Sequence, residues 1–269
     1  MNWTFKNIIS IAATLLILYC VGVLSIYIFI NGILFKTEGV NNYKFTSANG
    51  YEEISISLPE QQQIPALFSR PSQTEEGIVL ILHGAEGNLD KHLNLVEQFH
   101  QRGLSVLMPE FRGFGKAKGS VNENTMQEDA MASMDWIRKR YREDSIVLYA
   151  KDFSASAACY IASMFPCRLL ILEDPVFSLR SWMRDRFNAL ILPYELKYDF
   201  TIADVLPNVL VPVYILRPQG SSHCNAKDAI KMQHLLKDPN GLIQLEKSKG
   251  QATYELEQYQ QLMDQILRF

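Results

Sequence analysis

Gly77-Ile-Val-Leu-Ile-Leu82, followed without a break by His83-Gly84-Ala85-Glu86-Gly87-Asn88, is the stretch on which the fold turns. A glycine and five apolar residues in a row present no polar face, so they describe a short strand covered on both sides and ended by a turn. Similar runs recur downstream at Leu104-Ser-Val-Leu-Met108, Ser145-Ile-Val-Leu-Tyr-Ala150, Arg168-Leu-Leu-Ile-Leu172, Val213-Tyr-Ile-Leu216 and Leu242-Ile-Gln-Leu245. Between them, helical periodicity fits residues 90–102, 124–141, 153–165, 226–237 and 254–268. Two further strand-like runs, Glu53 to Leu58 and Ile64 to Ser69, flank a Gln61-Gln62-Gln63 turn and form a hairpin ahead of the first run. This alternation predicts an α/β protein with an eight-stranded, mostly parallel sheet flanked by helices.

Upstream, the chain changes character. Residues 8–30 carry no charge, and 14 of these 23 positions are Leu, Ile, Val or Phe. Such a run is long enough to span a bilayer and too long for the hydrophobic core of a cleaved signal peptide. The expected organisation is a tail at 1–7, a single transmembrane anchor at 8–35 and a globular domain at 36–269. Lys6 lies on one side of the span, and Lys36 and Lys44, partly offset by Glu38, lie on the other. A short amino-terminal tail stays in the cytoplasm, which puts the main domain outside it. The formal charge of −3 leaves no electrostatic footprint for a phosphate backbone, so nucleic acid is not an expected partner. Cys20, Cys159, Cys167 and Cys224 show no paired spacing, so free thiols, no metal and no cofactor are expected.

In a parallel sheet, ligands bind beyond the carboxyl ends of the strands, so the residues after each run carry the functional information. The first end, His83-Gly84-Ala85, is a turn whose backbone N–H groups can face inward as oxyanion donors. The second, Glu110-Phe111-Arg112-Gly113-Phe114-Gly115-Lys116, is a tight turn with cations free to pair with neighbouring carboxylates. Together these turns resemble the α/β-hydrolase superfamily, and in particular the bud-emergence group of membrane-anchored serine hydrolases. That group has HGNAGN and DYRGYGKSEG where this chain has HGAEGN and EFRGFGKAKG. Glu173-Asp174-Pro175-Val176-Phe177-Ser178 and Leu192-Pro193-Tyr194 are similar to its EN-T-FTS and LPY segments.

The resemblance implies a nucleophile elbow, G-x-S-x-G, after the run ending at Ala150. Asp152 stands at the nucleophile position, with Phe153 after it as an oxyanion donor beside His83, Gly84 and Ala85. Taking Ser154 as the nucleophile instead would put it inside the helix. At the position of the family's orienting acid stands Ser221, and at that of its histidine stands Gln251. A serine triad cannot operate with these residues, so the leading expectation is a catalytically degenerate relative that acts as a binding or scaffold module for an unknown small-molecule, lipid or protein ligand. The alternative is an active hydrolase with Asp152 as nucleophile, as in haloalkane dehalogenases and epoxide hydrolases of this fold, which need a histidine to activate water. His223 is the candidate base. His92 and His100 are expected on a solvated helix face, and His234 is expected to be structural. Residues 173–211, rich in large apolar side chains, are expected to form a short cap.

Overall fold

The computed structural model describes residues 3–38, 50–187, 196–221, 223–246 and 252–268. Helix α1 (Trp3–Leu34) is followed by a two-residue strand β1 (Lys36–Thr37), the antiparallel hairpin β2 (Tyr51–Ser57) and β3 (Gln63–Ser69), and β4 (Gly77–Leu82). A second two-residue strand, β5 (Glu86–Gly87), precedes α2 (Leu93–His100), β6 (Leu104–Pro109), α3 (Glu123–Arg138), β7 (Ile146–Lys151) and α4 (Ser154–Met164). The chain continues through β8 (Leu169–Glu173), α5 (Leu179–Arg186), β9 (Val213–Pro218), α6 (Ala226–Leu235), β10 (Leu242–Leu245) and α7 (Glu257–Ile266).

The main sheet has eight strands in the order β10-β9-β8-β7-β4-β6-β3-β2, parallel except for β3 against β6 and β2 against β3. All eight runs read from the sequence fall on these strands. They were legible because β4, β6 and β8 are buried at every position and β7 at all but its last, leaving apolar side chains on both faces. Helix ends carry their own signals. Asn122 caps α3 in a reciprocal pair with Thr125, and Ser178 and Asn225 cap α5 and α6. In α4 the sequence Ser154-Ala-Ser-Ala-Ala-Cys159 is buried throughout, and these small residues let the helix lie close against β7 and α3.

Three expectations change. Helix α1 begins at Trp3, so most of the expected tail is helical, and at its other end Ile30, Leu34 and Phe35 are buried in the domain. The helix expected at 90–102 opens with a 3-10 turn at Leu89–His92, and the one at 254–268 follows a 3-10 turn at Thr253–Glu255. His92 and His100 are half-buried rather than solvated, because α2 packs this face on the sheet, whereas His234 is exposed. Of the expected cap, α5 is described, with Leu179, Trp182 and Met183 buried; residues 188–195 lie outside the described residues.

The turn after β6 is held by charge. Arg112 Nε donates to Asp129 Oδ1 at 2.8 Å and its backbone N–H donates to Oδ2 at 2.9 Å, while Asp129 is fully buried on α3. Glu110, also buried, accepts the Lys116 N–H at 2.7 Å. A Cβ on Gly115, which has φ of +43°, would come within 1.9 Å of the Glu110 carboxylate, so only glycine fits there. Arg112→Ala would leave the Asp129 carboxylate buried without its cation. The expected loss is about 3–5 kcal/mol, read from the unfolding midpoint of the detergent-solubilised protein, and a loss below about 1 kcal/mol would contradict this role.

Candidate active site

Strand β7, buried at all but its last residue, delivers Asp152 to the carboxyl edge of the sheet, where the chain must reverse directly into α4. The reversal is made in the left-handed region, with Asp152 at φ 56°. The neighbouring strand end does the same at Asp174, φ 49°. Non-glycine residues seldom adopt this conformation, and Asp is among those that tolerate it best. Of the four such residues described, Asp152, Asp174 and Phe200 gather here, and strain of this kind concentrates at functional sites. The Asp152 N–H donates to Glu173 O at 3.2 Å, and its carbonyl accepts from Val176 N–H at 3.2 Å, so the elbow is stitched to the end of β8.

Ser154 is committed to structure. Its hydroxyl lies between the carbonyls of Leu82 (2.8 Å) and Lys151 (2.7 Å) and accepts the Lys151 N–H at 3.0 Å. Lys151 Nζ pairs with buried Glu173 at 3.1 Å, which keeps the lysine charged and raises its pKa. Tyr149 donates to the other Glu173 oxygen. The charges beneath the elbow are therefore paired among themselves.

Asp152 is 5% exposed, and its Oδ1 is buried with no hydrogen-bond partner. Its Oδ2 rests against Gly84, where an added Cβ would lie 2.3 Å from that oxygen. His223 Nδ1 stands 3.6 Å from Asp152 Oδ1 and 3.4 Å from Asp174 Oδ2. His223, the candidate base of the alternative reading, is turned over the elbow by the loop after β9. Burial raises the Asp152 carboxyl to about 6, opposed by the charges of His223 and Lys151. Burial lowers the His223 pKa, but its bond to Asp174 and the charges of both aspartates outweigh that, leaving it above the usual histidine value.

Ser221, at the expected acid position, acts through a neighbour. Its hydroxyl bonds Asp174 Oδ1 and accepts N–H groups from His223 (3.0 Å) and Cys224 (2.9 Å), so it fixes Asp174 and the histidine loop together. Asp174 is the residue that sequence reasoning missed. It stood at a strand end and before a proline, yet was absorbed into a family segment rather than examined as a site carboxylate. Gln251 lies outside the described residues. Asp152, Asp174 and His223 are also the described side chains whose ligand atoms, all within 4.8 Å of one another, could hold a metal ion, a set that no sequence spacing announces.

The turn after β4 is backed by His83, which is buried and which that burial keeps neutral. Its Nδ1–H donates to Gly84 O at 2.8 Å and its Nε2 accepts the Phe111 N–H at 3.4 Å. Its ring stacks on His92 and meets the edges of Phe111 and Phe114. Ala85 and Phe153 are buried, and the Phe153 ring packs against Phe35, Trp182, Phe200 and His223. Cys159 is a buried core residue whose thiol burial pushes up to about 12, which keeps it protonated.

A family profile described as the alpha/beta hydrolase fold matches residues 77–189, the stretch from β4 past the elbow. Together with the eight-stranded topology, this match shows that the chain has the α/β-hydrolase fold. Among sequence relatives, the uncharacterized membrane protein YNL320W of Saccharomyces cerevisiae is 27% identical over 62% of this chain and 62% of its own. Lysophosphatidylserine lipase ABHD12 of Xenopus tropicalis is 22% identical over 72% of this chain and 57% of its own. Matches of this kind span two thirds or less of the relatives' length. The esterase Pf2001 of Pyrococcus furiosus superposes with a TM-score of 0.64 at 15% identity, over 87% of this chain and 97% of the esterase, and shows the fold alone.

Burial lowers His83 to about 3, and burial together with the Lys151 charge lowers His92 to about 4. Both stay neutral in the folded state, whereas in the unfolded chain they take up protons near pH 6.5. Their contribution to stability is therefore present above about pH 6.5 and lost as pH falls toward about 4 and below. Thermal unfolding across this window should show the loss, and His92→Gln should flatten it; an unchanged slope would refute the assignment. Gly84→Ala should displace the Asp152 carboxylate, visible as a changed carboxyl titration by difference infrared spectroscopy, and an unmoved titration would refute the close contact.

Proposed function

We propose that the chain is a membrane-tethered hydrolase in which Asp152, His223 and Asp174 take the place of a serine triad, with its domain on the extracytoplasmic side. The observation that carries this reading is the approach of His223 to Asp152 at the apex of the elbow. Asp152 Oδ1 attacks the carbon of an ester, epoxide or halide; the new O–C bond forms as the bond to the leaving group breaks, and the leaving group departs with the electron pair. His223 then takes a proton from water, whose oxygen adds to the Asp152 carboxyl carbon. Oδ2, against the oxyanion turn, receives the developing charge. Collapse breaks the bond between Oδ1 and the substrate, releasing an alcohol where an epoxide or halide was attacked and a carboxylic acid where an ester was, and restores the carboxylate with one oxygen from water. His223 passes its proton to the alkoxide formed in the first step or, where a halide left, to solvent. Asp174 holds the imidazole and stabilises its charged form.

The full chain in detergent should turn over members of a panel of activated esters, epoxides, halides and lysophospholipid esters. Asp152→Asn should abolish turnover, and His223→Ala should lower it by about 100-fold or more. A single turnover in oxygen-18 water should place one heavy oxygen in Asp152. Survival of activity in Asp152→Asn would refute the mechanism. Loss on chelation with recovery on adding a divalent cation would instead assign the chemistry to an ion held by the same three residues.

One observation favours a second reading, a catalytically silent scaffold that binds a ligand. His223 presents the same nitrogen to both carboxylates, whereas a base and its orienting acid use the two different ring nitrogens. Absence of turnover across the panel, with fluorophosphonate labelling also absent, supports this second reading.

A further inference from the structure

The three side chains over the elbow converge on one space. His223 directs a single nitrogen, Nδ1, at Asp152 Oδ1, 3.6 Å away, and at Asp174 Oδ2, 3.4 Å away. Both separations exceed the roughly 2.7–3.2 Å of a well-formed N–H···O bond. They match a different geometry. In a tetrahedral site with metal–ligand bonds of about 2.0–2.2 Å, neighbouring ligand atoms stand about 3.3–3.6 Å apart. One ring nitrogen carries at most one hydrogen and cannot serve both carboxylates fully, whereas an ion between the three takes the nitrogen lone pair and one oxygen from each acid. Ligand atoms of all three residues lie within 4.8 Å of one another, so an adjustment of roughly 1 Å closes the remaining edge.

A second observation points to the same space. Asp152 Oδ1 faces it, is buried and has no hydrogen-bond partner, and its residue is only 5% exposed. A buried carboxylate oxygen without a donor is costly unless something positive meets it. The other oxygens are already engaged: Asp152 Oδ2 lies against Gly84, and Asp174 Oδ1 bonds the Ser221 hydroxyl and accepts the Cys224 N–H at 3.2 Å. Each acid thus keeps one oxygen for an ion. Ser221 also accepts the His223 backbone N–H, so it braces two of the three ligands from behind, as metal ligands generally are braced. The charges balance as well, since two carboxylates and a neutral imidazole offset a divalent cation while Lys151 is taken up by Glu173. One imidazole with two carboxylates suits zinc and its transition-row neighbours better than calcium or magnesium, which take oxygen ligands. The His223 and Asp174 side chains are partly exposed above buried Asp152, which gives an ion an entry path and leaves a position for water.

We propose that Asp152 Oδ1, Asp174 Oδ2 and His223 Nδ1 form a binding site for a divalent transition ion of the zinc type, and that its occupation silences the elbow. The ion takes the oxygen that would attack a substrate and the nitrogen lone pair that would take a proton from water. Silencing rests on the preceding functional reading; binding does not. Ser221 is a positioning residue, acting on the ion through Asp174.

The full chain in detergent, stripped of ions with a chelator and titrated with Zn²⁺, tests both parts. The parent should take up one ion per chain and unfold at a higher temperature when loaded. His223→Ala and Asp174→Asn should each weaken binding by at least about 100-fold and lose the thermal shift, and Ser221→Ala should weaken it by about 10-fold. Co²⁺ in place of Zn²⁺ should give the visible absorption of a tetrahedral site without a thiolate band, unchanged in Cys224→Ser. Circular dichroism of each ion-free variant separates a lost ligand from a lost fold. A folded parent that takes up no ion overturns the proposal, as does a Co²⁺ spectrum that survives intact in His223→Ala. Where the ion-free parent turns over a substrate, Zn²⁺ should inhibit it with half-effect at the binding midpoint; full occupancy without inhibition, or turnover that requires the ion, overturns the silencing. Stoichiometric binding without any turnover by the ion-free parent sinks the hydrolase reading alone, and turnover by a parent that binds no ion sinks the metal site alone.

Discussion

The left-handed backbone at Asp152 is the constraint around which the site is built. Only two residues, Asp152 and Phe153, separate the end of β7 from the start of α4, so the reversal has no room for a longer turn. Every adjoining feature serves that reversal. Ser154 bonds back to the carbonyls on either side of it, Glu173 accepts the Asp152 N–H, and Gly84 lacks the Cβ that would collide with the carboxylate. A serine in this conformation would be a nucleophile awaiting a base. An aspartate there is already an anion, or close to one, and its chemistry is set by what neutralises it.

That neutralisation is local and economical. Lys151 is adjacent in sequence but is committed to Glu173, so it reaches Asp152 only through space. His223 is the group placed to face Asp152 directly, and Asp174 keeps its imidazole in place. Ser221 stands at the acid position that the resemblance implies, while the carboxylate that meets His223 is Asp174, at the end of the neighbouring strand. Ser221 bonds that carboxylate and accepts the His223 N–H, so the loop after β9 and the end of β8 are fixed together.

The sheet could be read from the chain because strands buried on both faces leave continuous apolar runs, and their mostly parallel arrangement followed from alternation with helices. The elbow was equally legible, since Asp152 follows such a run directly. Of the partners of Asp152, His223 was legible as the candidate base, whereas Asp174 and the meeting of all three were not. Asp174 and His223 come from two other strand ends, and only the lateral order β7-β8-β9 brings them together. No spacing along the sequence encodes that convergence. His92 was misjudged for a related reason: it begins α2 on the side that stacks against His83, a contact decided by the path of the turn rather than by helical period. The docking of Phe35 was also invisible, because an apolar residue at the end of a membrane span looks the same whether it meets lipid or protein.

The pairing of β1 with β5 gives the fold a mechanical property. Two residues of backbone ladder join the end of the long apolar helix to the loop beside the Asp152 carboxylate. A shift of that helix along its axis therefore pulls on the turn after β4 through the same two-residue ladder.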